Sequence, residues 1–292
     1  GEGPFVGRRI VERRLILHEI RGHSPEALGD DHLAAVAHAV AVDADGRPVS
    51  RKPAKITWDA AAAEKSGYPH FMLKEIHDQP RALADTFRGR ISLKDGQVSL
   101  EDIHVKASEV KQTKRIHLVA CGTAYYACLV AKYWFEQLAR LPVEVEVASE
   151  FRYREPPLPP GGACIAVSQS GETIDTLEAL RYAKSQGQSL LSVVNVPESA
   201  IARLSNVVFR TLAGPEIGVA STKAFTTQLV VLLVMAIAAG RARGTVSRQQ
   251  EESLANALIE LPSRLNDTLN MEDDYRRIAE NEIAKARDVL YL

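Results

Sequence analysis

The residues from Ser168 to Thr173, Ser-Gln-Ser-Gly-Glu-Thr, place several neutral hydrogen-bond donors in one short turn. The apolar run Ala163–Val167 precedes this turn, and an amphipathic segment with helical spacing follows it. A strand, a tight turn and a helix build an anion site, because the first N–H groups of a helix lack intrahelical partners. Gly171 would let the backbone approach a ligand closely. The pattern predicts a phosphate site without Lys or Arg, although a plain turn in which Ser170 or Thr173 caps the helix uses the same residues.

Two other polar turns have a similar setting. Cys121–Ala124 follows an apolar extended run, and Glu216–Gln228 leads into the apolar run Leu229–Ala239. In a parallel sheet the carboxyl ends of the strands share one edge, where ligands bind. Three hydroxyl-bearing turns at that edge predict a pocket for a phosphate and a polyol. GxGxxG and GxxxxGK[ST] are absent from the sequence, which disfavours a dinucleotide or a nucleoside triphosphate.

The elements that must position these turns alternate between strand and helix patterns. The predicted strands are Ile116–Ala120, Val143–Val147, Ala163–Val167, Leu190–Val194 and Val207–Leu212. The predicted helices are Tyr125–Arg140 (with Tyr126, Leu129, Tyr133 and Leu138 as apolar positions), 172–186, Ser199–Leu204 and the buried helix Leu229–Ala239. This alternation predicts an α/β fold with a flavodoxin-like, doubly wound parallel sheet and helical flanks.

The flanking segments are less regular. Residues 33–58 predict a short N-terminal β-hairpin with its turn at Asp43–Gly46, and the arginine-rich residues before it predict a solvated segment. A short helix ending near Pro80 and a second one from Pro80 to Phe87 are expected next. His70, Lys74, Glu75 and His77, which lie in this junction, are interpreted as interface or capping groups. Helices over Gln249–Leu269, with an apolar face interrupted at Pro262, and Asp273–Ala286 precede a predicted strand at Val289–Leu292.

Composition narrows the class of protein. The chain has 292 residues, 46% hydrophobic and 25% charged, with a formal net charge of −1. This balance is typical of a globular protein and argues against general nucleic-acid or membrane-surface binding. The three cysteines lack CxxC spacing and predict neither a disulfide framework nor a zinc site. We expect a cytoplasmic chain without a metal or another cofactor.

Jointly, the three turns resemble the sugar isomerase (SIS) domain. More narrowly, they resemble the first SIS domain of the glutamine–fructose-6-phosphate aminotransferase family, as do Ala148–Tyr153 and the junction motif His70–Pro80. The resemblance covers roughly residues 55–292. That family uses ammonia from glutamine to convert fructose 6-phosphate into glucosamine 6-phosphate, and its SIS domains pair. The resemblance therefore implies a hexose-phosphate ligand and a homodimer.

The resemblance also implies which residues bind the sugar phosphate. These substrate-binding residues are Gly122, Thr123, Ser168, Gln169, Ser170, Thr173, Val219, Ala220 and Ser221. Members of the family commonly carry Ser where this chain has Ala124, so one phosphate donor is lost. The expected cost is about 1 kcal/mol for one neutral hydrogen bond.

The resemblance further implies that this chain is a truncated form without catalytic residues of its own. The expected segments are a remnant at 1–66 resembling at most the end of a glutaminase domain, junction helices at 67–113, the SIS domain at 114–248, and a linker at 249–292 leading into a second SIS domain. Gly1 stands where the family has its glutaminase Cys, and the family's acid/base Glu, ring-opening His and Schiff-base Lys match no residue here. Lys223 is expected to have a structural role. A regulatory SIS module for an amino-sugar phosphate, and a sugar-phosphate deaminase or deglycase, stay open as alternatives.

Overall fold

A computed structural model of the protein describes residues 41–42, 48–49, 64–92, 95–99 and 106–290. The chain divides into two units, Gly1–Thr57 and Trp58–Leu292. In the first unit, β1 (Ala41–Val42) and β2 (Pro48–Val49) pair antiparallel, as the predicted hairpin requires. The predicted turn Asp43–Gly46 and the arginine-rich segment lie outside the described residues.

The second unit contains a five-stranded parallel sheet. Its strands are β3 (Ile116–Ala120), β4 (Val143–Val147), β5 (Ala163–Ser168), β6 (Ser189–Val194) and β7 (Val207–Arg210). The spatial order is β4-β3-β5-β6-β7, with every neighbouring pair parallel. This is the flavodoxin-like order, so the predicted fold is confirmed. From β3 the chain continues to β4 on one side, and it then crosses to β5, β6 and β7 on the other side, so the direction of winding reverses between β3 and β5. Both strands end at the same edge of the sheet.

Helices cover both faces of this sheet. The helices described in the second unit are α1 (Phe71–Phe87), α2 (Ala107–Gln112), α3 (Thr123–Trp134), α4 (Ala148–Arg154), α5 (Ile174–Ser185), α6 (Ala200–Leu204), α7 (Lys223–Arg243), α8 (Arg248–Leu269) and α9 (Glu272–Ile278). π-helical segments, Phe135–Ala139 and Ala279–Ile283, continue α3 and α9. One apolar cluster joins α3 and α7 to the sheet, and a second joins α4, α5 and α6 to it. α1 and α8 pack against α7 in a third cluster.

Helix α7 begins earlier than the sequence pattern predicts. Its apolar run Leu229–Ala239 is buried, which confirms the predicted core helix, but the helix starts at Lys223. The reason is a carboxylate: Glu216 Oε1 accepts the backbone N–H groups of Thr222 and Ala224, both at 3.0 Å. α7 is also long and apolar enough to cross a membrane, yet most of it is buried within the fold.

The two predicted junction helices form one continuous helix, α1, with Pro80 inside it. The predicted break at Pro80 is therefore wrong. Proline lacks the N–H that would bond the carbonyl four residues earlier. The side chain of Gln79 donates to that carbonyl, the oxygen of Ile76, at 3.0 Å. This bond replaces the missing one and allows the helix to continue.

Helix α8 likewise continues through its proline. Leu258 and the partly buried Leu261 and Leu265, on both sides of Pro262, pack in the same cluster with α1 and α7. The predicted interruption of the apolar face is wrong, because packing on both sides of the proline holds the helix together. The predicted strand at the end is also absent over Val289 and Leu290, which pair with no strand among the described residues.

Helix α3 packs against the core through its small side chains. The buried residues are small, Ala127, Cys128 and Ala131, whereas Tyr126 and Tyr133 are 60% and 63% exposed. Small side chains let α3 lie close to the sheet and to α7. The predicted helix is confirmed, and these two of its apolar positions lie on its exposed face.

Candidate functional site

A cavity of about 340 Å³ lies where β3 and β5 end. Its lining residues are Cys121, Gly122, Thr123, Ala124, Val167, Ser168, Gln169, Ser170, Thr173, Glu216, Gly218, Val219, Ser221 and Gln228. This position is the reversal point of the sheet, where doubly wound folds bind their ligands. All the predicted substrate-binding residues are brought together here except Ala220, which does not line the cavity.

A larger cavity, about 1110 Å³, lies at the opposite ends of the strands. Its lining includes the first residues of four strands: Ile116, Ala163, Ser189 and Val207. The three hydroxyl-bearing turns of the sequence lie at the other edge. The smaller cavity is therefore the candidate site, because hydrogen-bonding groups converge there.

Residues Ser168–Thr173, hereafter the α5 turn, hold themselves in shape. The hydroxyl oxygens of Ser168 and Thr173 are 3.0 Å apart. Ser168 Oγ accepts the N–H of Gly171 at 3.0 Å, and Ser170 Oγ accepts the N–H of Glu172 at 3.2 Å. A hydroxyl that accepts a hydrogen bond still has its own O–H to donate. The turn thus orders Ser168 and Ser170 and leaves them able to donate to a ligand.

The start of α5 differs from the starts of two other helices. Ser199 caps α6 and Ser247 caps α8, each accepting a backbone N–H with its side chain. Thr173 occupies the corresponding position of α5 but makes no such bond. The interpretation that Thr173 merely caps the helix is therefore wrong. The first N–H groups of α5 lack a side-chain cap and carry the positive end of the helix dipole.

A second helix begins at the cavity from the other face of the sheet. α3 starts at Thr123 after Gly122, and no side chain caps it either. Gly122 has a φ of +58°, a conformation that glycine adopts at little cost. Gly122, Thr123 and Ala124 all line the cavity. Two helix starts therefore direct partial positive charge toward one space.

Residues Glu216–Thr222, hereafter the α7 loop, form the remaining wall. Glu216 fixes the loop's end, since its carboxylate accepts N–H groups from Thr222 and Ala224. Glu75 of α1 fixes its middle. Glu75 is 2% exposed, and its carboxylate accepts the N–H of Ile217 at 2.6 Å and that of Gly218 at 3.1 Å. Glu75 therefore has the structural role that the sequence interpretation gave it.

Charged groups beside the loop belong to the contact between α1 and α7. Lys223 is buried, and its Nζ lies 3.2 Å from Asp78 Oδ2. Lys74 Nζ lies 3.9 Å from the same oxygen. Lys223 thus pairs with a carboxylate and does not line the cavity, in agreement with its expected structural role. His77 of α1 contacts Glu272 at 3.3 Å, a further helix contact.

The cavity suits an anion through neutral groups. Among the described residues that line it there is no Lys, Arg or His, and its one carboxylate, Glu216, is engaged by backbone N–H groups. Hydroxyls, the carboxamides of Gln169 and Gln228, and helix starts remain as donors. Helix starts of this kind bind phosphate without a cationic side chain. Elsewhere in the described part of the chain, no three His, Cys, Asp or Glu side chains are grouped so that they could hold a metal ion.

Three buried ionisable groups, two in the sheet and one on α3, supply no reactive side chain to this site. Burial raises the pKa of the Cys164 thiol to about 12 and raises the pKa of Cys128 still further, so neither forms a thiolate near neutral pH. Burial, with Arg115 nearby, lowers the pKa of His117 from its ordinary value. None of the three lines the cavity.

Sequence reasoning missed two parts of the site. The loop-holding roles of Glu75 and Glu216 depend on contacts that the spacing of residues does not show. The sequence pattern predicts Gln228 as the end of a turn, but it lies on α7 and lines the cavity, with 2% of its surface exposed. The available signal is a polar residue directly before a strongly apolar run.

Comparisons with known proteins identify the domain that carries this cavity. Residues 109–238 match the family described as SIS domain. The chain is 53% identical over 255 residues to a glutamine–fructose-6-phosphate aminotransferase [isomerizing] of Bradyrhizobium diazoefficiens, covering 87% of this chain and 41% of that protein. It is 48% identical over 250 residues to the Brucella abortus protein of that name, covering 86% and 40%. The resemblance predicted from the sequence is confirmed.

A solved structure gives the same result. The C-terminal domain of glucosamine-fructose-6-phosphate aminotransferase from Francisella tularensis matches with a TM-score of 0.71 and 41% identity, covering 74% of this chain and 61% of that one. The chain spans about two fifths of the length of the curated relatives that it matches.

Proposed function

The chain carries a SIS domain of the kind found in glutamine–fructose-6-phosphate aminotransferases, and from this premise we propose that it binds a hexose phosphate at the ends of β3 and β5. The ligand is fructose 6-phosphate or glucosamine 6-phosphate. The bound sugar serves a glutamine-dependent amidotransferase and isomerase that makes glucosamine 6-phosphate. The chain contributes the sugar-phosphate site to that activity.

The observation that carries the proposal is the uncapped start of α5 beside ordered hydroxyls. Ser168, Ser170 and Thr173 line the cavity together with the amide of Gln169. A phosphate oxygen there takes hydrogen bonds from hydroxyls and from helix N–H groups, and the dipoles of α5 and α3 favour its negative charge. The remaining proposed contacts, Gly122, Thr123, Val219, Ala220 and Ser221, belong to the α3 start and the α7 loop.

We assign binding of the sugar phosphate, and not proton transfer, to this cavity. Catalysis of an aldose–ketose exchange needs a side chain that takes and returns a proton. Among the described residues around the cavity there is no His, and the Glu216 carboxylate is already hydrogen-bonded by the backbone. We therefore assign no catalytic residue to the described part of the chain.

Calorimetric titration of the 292-residue chain with fructose 6-phosphate and glucosamine 6-phosphate tests the proposal. We expect saturable binding, and Ser170→Ala should weaken it about tenfold or more, since a hydrogen bond to a charged group contributes about 1.5–3 kcal/mol. Ser185→Ala is the matched control: Ser185 ends α5 and its hydroxyl donates to the Tyr182 carbonyl, away from the cavity. A folded chain that binds neither sugar phosphate would overturn the proposal.

We further propose that the chain forms a homodimer in the cytoplasm. Tyr126, Val130 and Tyr133 lie one turn apart along α3 and are exposed, which supports burial of this stripe against a second copy. The cysteines Cys121, Cys128 and Cys164 are free thiols, which supports a reducing compartment. Sedimentation analysis of the chain and of Tyr133→Glu tests the dimer: the variant should shift toward the monomer, and a monomeric parent chain would refute it.

A further inference from the structure

The side chain of Gln228 is buried beside the cavity with an unpaired oxygen. It lies on the second turn of α7, is 2% exposed, and lines the cavity. Its Oε1 has no hydrogen-bond partner among the described residues. A buried polar atom that loses water without gaining a partner destabilises the fold. The unpaired oxygen of Gln228 therefore needs an explanation, and a ligand that bonds this side chain would supply one.

Other buried polar atoms share this condition, but not its location. His117, Thr176, Gln188 and Ser192 also have buried side-chain atoms without partners in the described chain. None of these four lines the cavity, whereas Gln228 does. Among the described residues, Gln228 alone combines a buried, unpaired side-chain oxygen with a position on the wall of this cavity.

The position of α7 indicates which part of a ligand Gln228 faces. α5, which supplies the proposed phosphate donors, packs in the cluster on one face of the sheet, and α7 packs with α3 on the other. Gln228 therefore reaches the cavity from the face opposite the α5 turn. A carboxamide both accepts and donates, so it matches a sugar hydroxyl, which does the same.

We propose that Gln228 is a specificity-determining residue that hydrogen-bonds a hydroxyl of the sugar, an inference that rests on the proposed hexose-phosphate function. Phosphate is held by the α5 turn, and Gln228 distinguishes a sugar phosphate from phosphate alone. A site built around a hydroxyl rejects a ligand that lacks it, because the buried carboxamide is then left unpaired.

The experiment compares two ligands on one variant. Gln228→Met keeps the length and nearly the volume of the side chain and removes the carboxamide. We expect about a tenfold loss of affinity for fructose 6-phosphate by calorimetry, a change of less than twofold for inorganic phosphate, and no fall in the thermal midpoint, since an unpaired buried group is removed. Unchanged affinity for fructose 6-phosphate would overturn the inference.

Matched variants separate this role from a general effect of burial. Ser192→Ala removes another buried unpaired oxygen, in β6, and should leave both affinities unchanged. Gln228→Asn keeps the carboxamide but shortens its reach, and it should weaken fructose 6-phosphate selectively even if the Met variant folds poorly. Equal losses for both ligands would show a distorted cavity and reject the inference. If the parent chain binds neither ligand, the proposed function itself fails, which is a distinct outcome.

Discussion

The α5 turn and the α7 loop line the same cavity, but different parts of the chain hold them in place. Within the α5 turn, Ser168 bonds the hydroxyl of Thr173 and the N–H of Gly171. The middle of the α7 loop depends on Glu75, which is 142 positions before Ile217 in the chain. The α5 turn therefore has support from its own side chains beside the backbone bonds that it accepts from Asn195 and Ile201. The middle of the α7 loop has its support from α1, whereas Glu216 holds the end of the loop.

The largest expected effect comes from removing the carboxylate of Glu75, which holds the α7 loop from α1. Glu75→Ala removes the acceptor for the N–H groups of Ile217 and Gly218 and leaves both without their partner. We expect the free energy of unfolding in urea to fall by about 3 kcal/mol, since these are buried bonds to a charged group. Affinity for fructose 6-phosphate should fall more than for inorganic phosphate, because the α5 turn does not use Glu75.

The control for this variant is Asp85→Asn on the same helix. Asp85 pairs with the exposed Arg88, an ion pair of a kind that contributes about 0–1 kcal/mol. A Glu75→Ala chain with the stability and both affinities of the parent would show that the α7 loop holds itself in place, and the contrast with the α5 turn would be lost.

The next largest effect comes from a substitution within the α5 turn. Gly171 has a φ of +64°, and a Cβ added there would lie 2.0 Å from Ser199 Oγ and 2.5 Å from Ser199 Cβ. We expect Gly171→Ala to lower the free energy of unfolding by about 2 kcal/mol, from the left-handed backbone together with the clash. Affinity for inorganic phosphate should fall with it, because the clash displaces the α5 turn.

Gly187 provides the matched comparison for that substitution. It has a φ of +71° and nothing within 4 Å of an added Cβ, so Gly187→Ala tests the backbone cost alone. We expect a loss of about 1 kcal/mol and no change in phosphate affinity. Equal effects of the two alanines on stability and binding would contradict a role for the Ser199 contact.

The same contrast explains how much the sequence predicts. The α5 turn, the strands and the sheet order follow from local patterns, because a strand, a polar turn and a helix each leave a short-range signature. The predicted residues of the site meet at one cavity, Ala220 excepted. The support from Glu75 is not predictable in this way, since no periodicity links α1 to a loop so far along the chain.

The errors of prediction have physical causes of the same kind. Pro80 predicts a helix end, yet Gln79 replaces the missing backbone bond and α1 continues. Pro262 predicts an interruption of the apolar face of α8, yet Leu258 and Leu265 on its two sides pack in one cluster. In each case a side-chain or tertiary contact outweighs a local preference.

A smaller effect distinguishes the two carboxylates that hold the α7 loop, Glu75 from α1 and Glu216 from the loop itself. Glu216→Gln keeps an oxygen that can accept from Thr222 and Ala224 but removes the charge at the start of α7. We expect stability to fall by about 1 kcal/mol, the usual size of a charge–dipole effect at a helix start. Phosphate affinity should rise two- to threefold in calorimetry, because a negative charge leaves the cavity wall. A loss of affinity as large as that of Glu75→Ala would mean that both carboxylates position the loop equally.

The smallest effect adds a donor to the second uncapped helix. Ala124 is in the first turn of α3 and lines the cavity across from the α5 turn. In Ala124→Ser a hydroxyl enters that wall, and one neutral hydrogen bond of about 1 kcal/mol corresponds to roughly a fivefold gain in affinity for fructose 6-phosphate. Ala127→Ser, one helical turn away at a fully buried position, should destabilise the chain without raising affinity. If Ala124→Ser leaves affinity unchanged while the chain remains as stable as its parent, the anion rests on the α5 turn alone, and the start of α3 contributes only to the shape of the cavity.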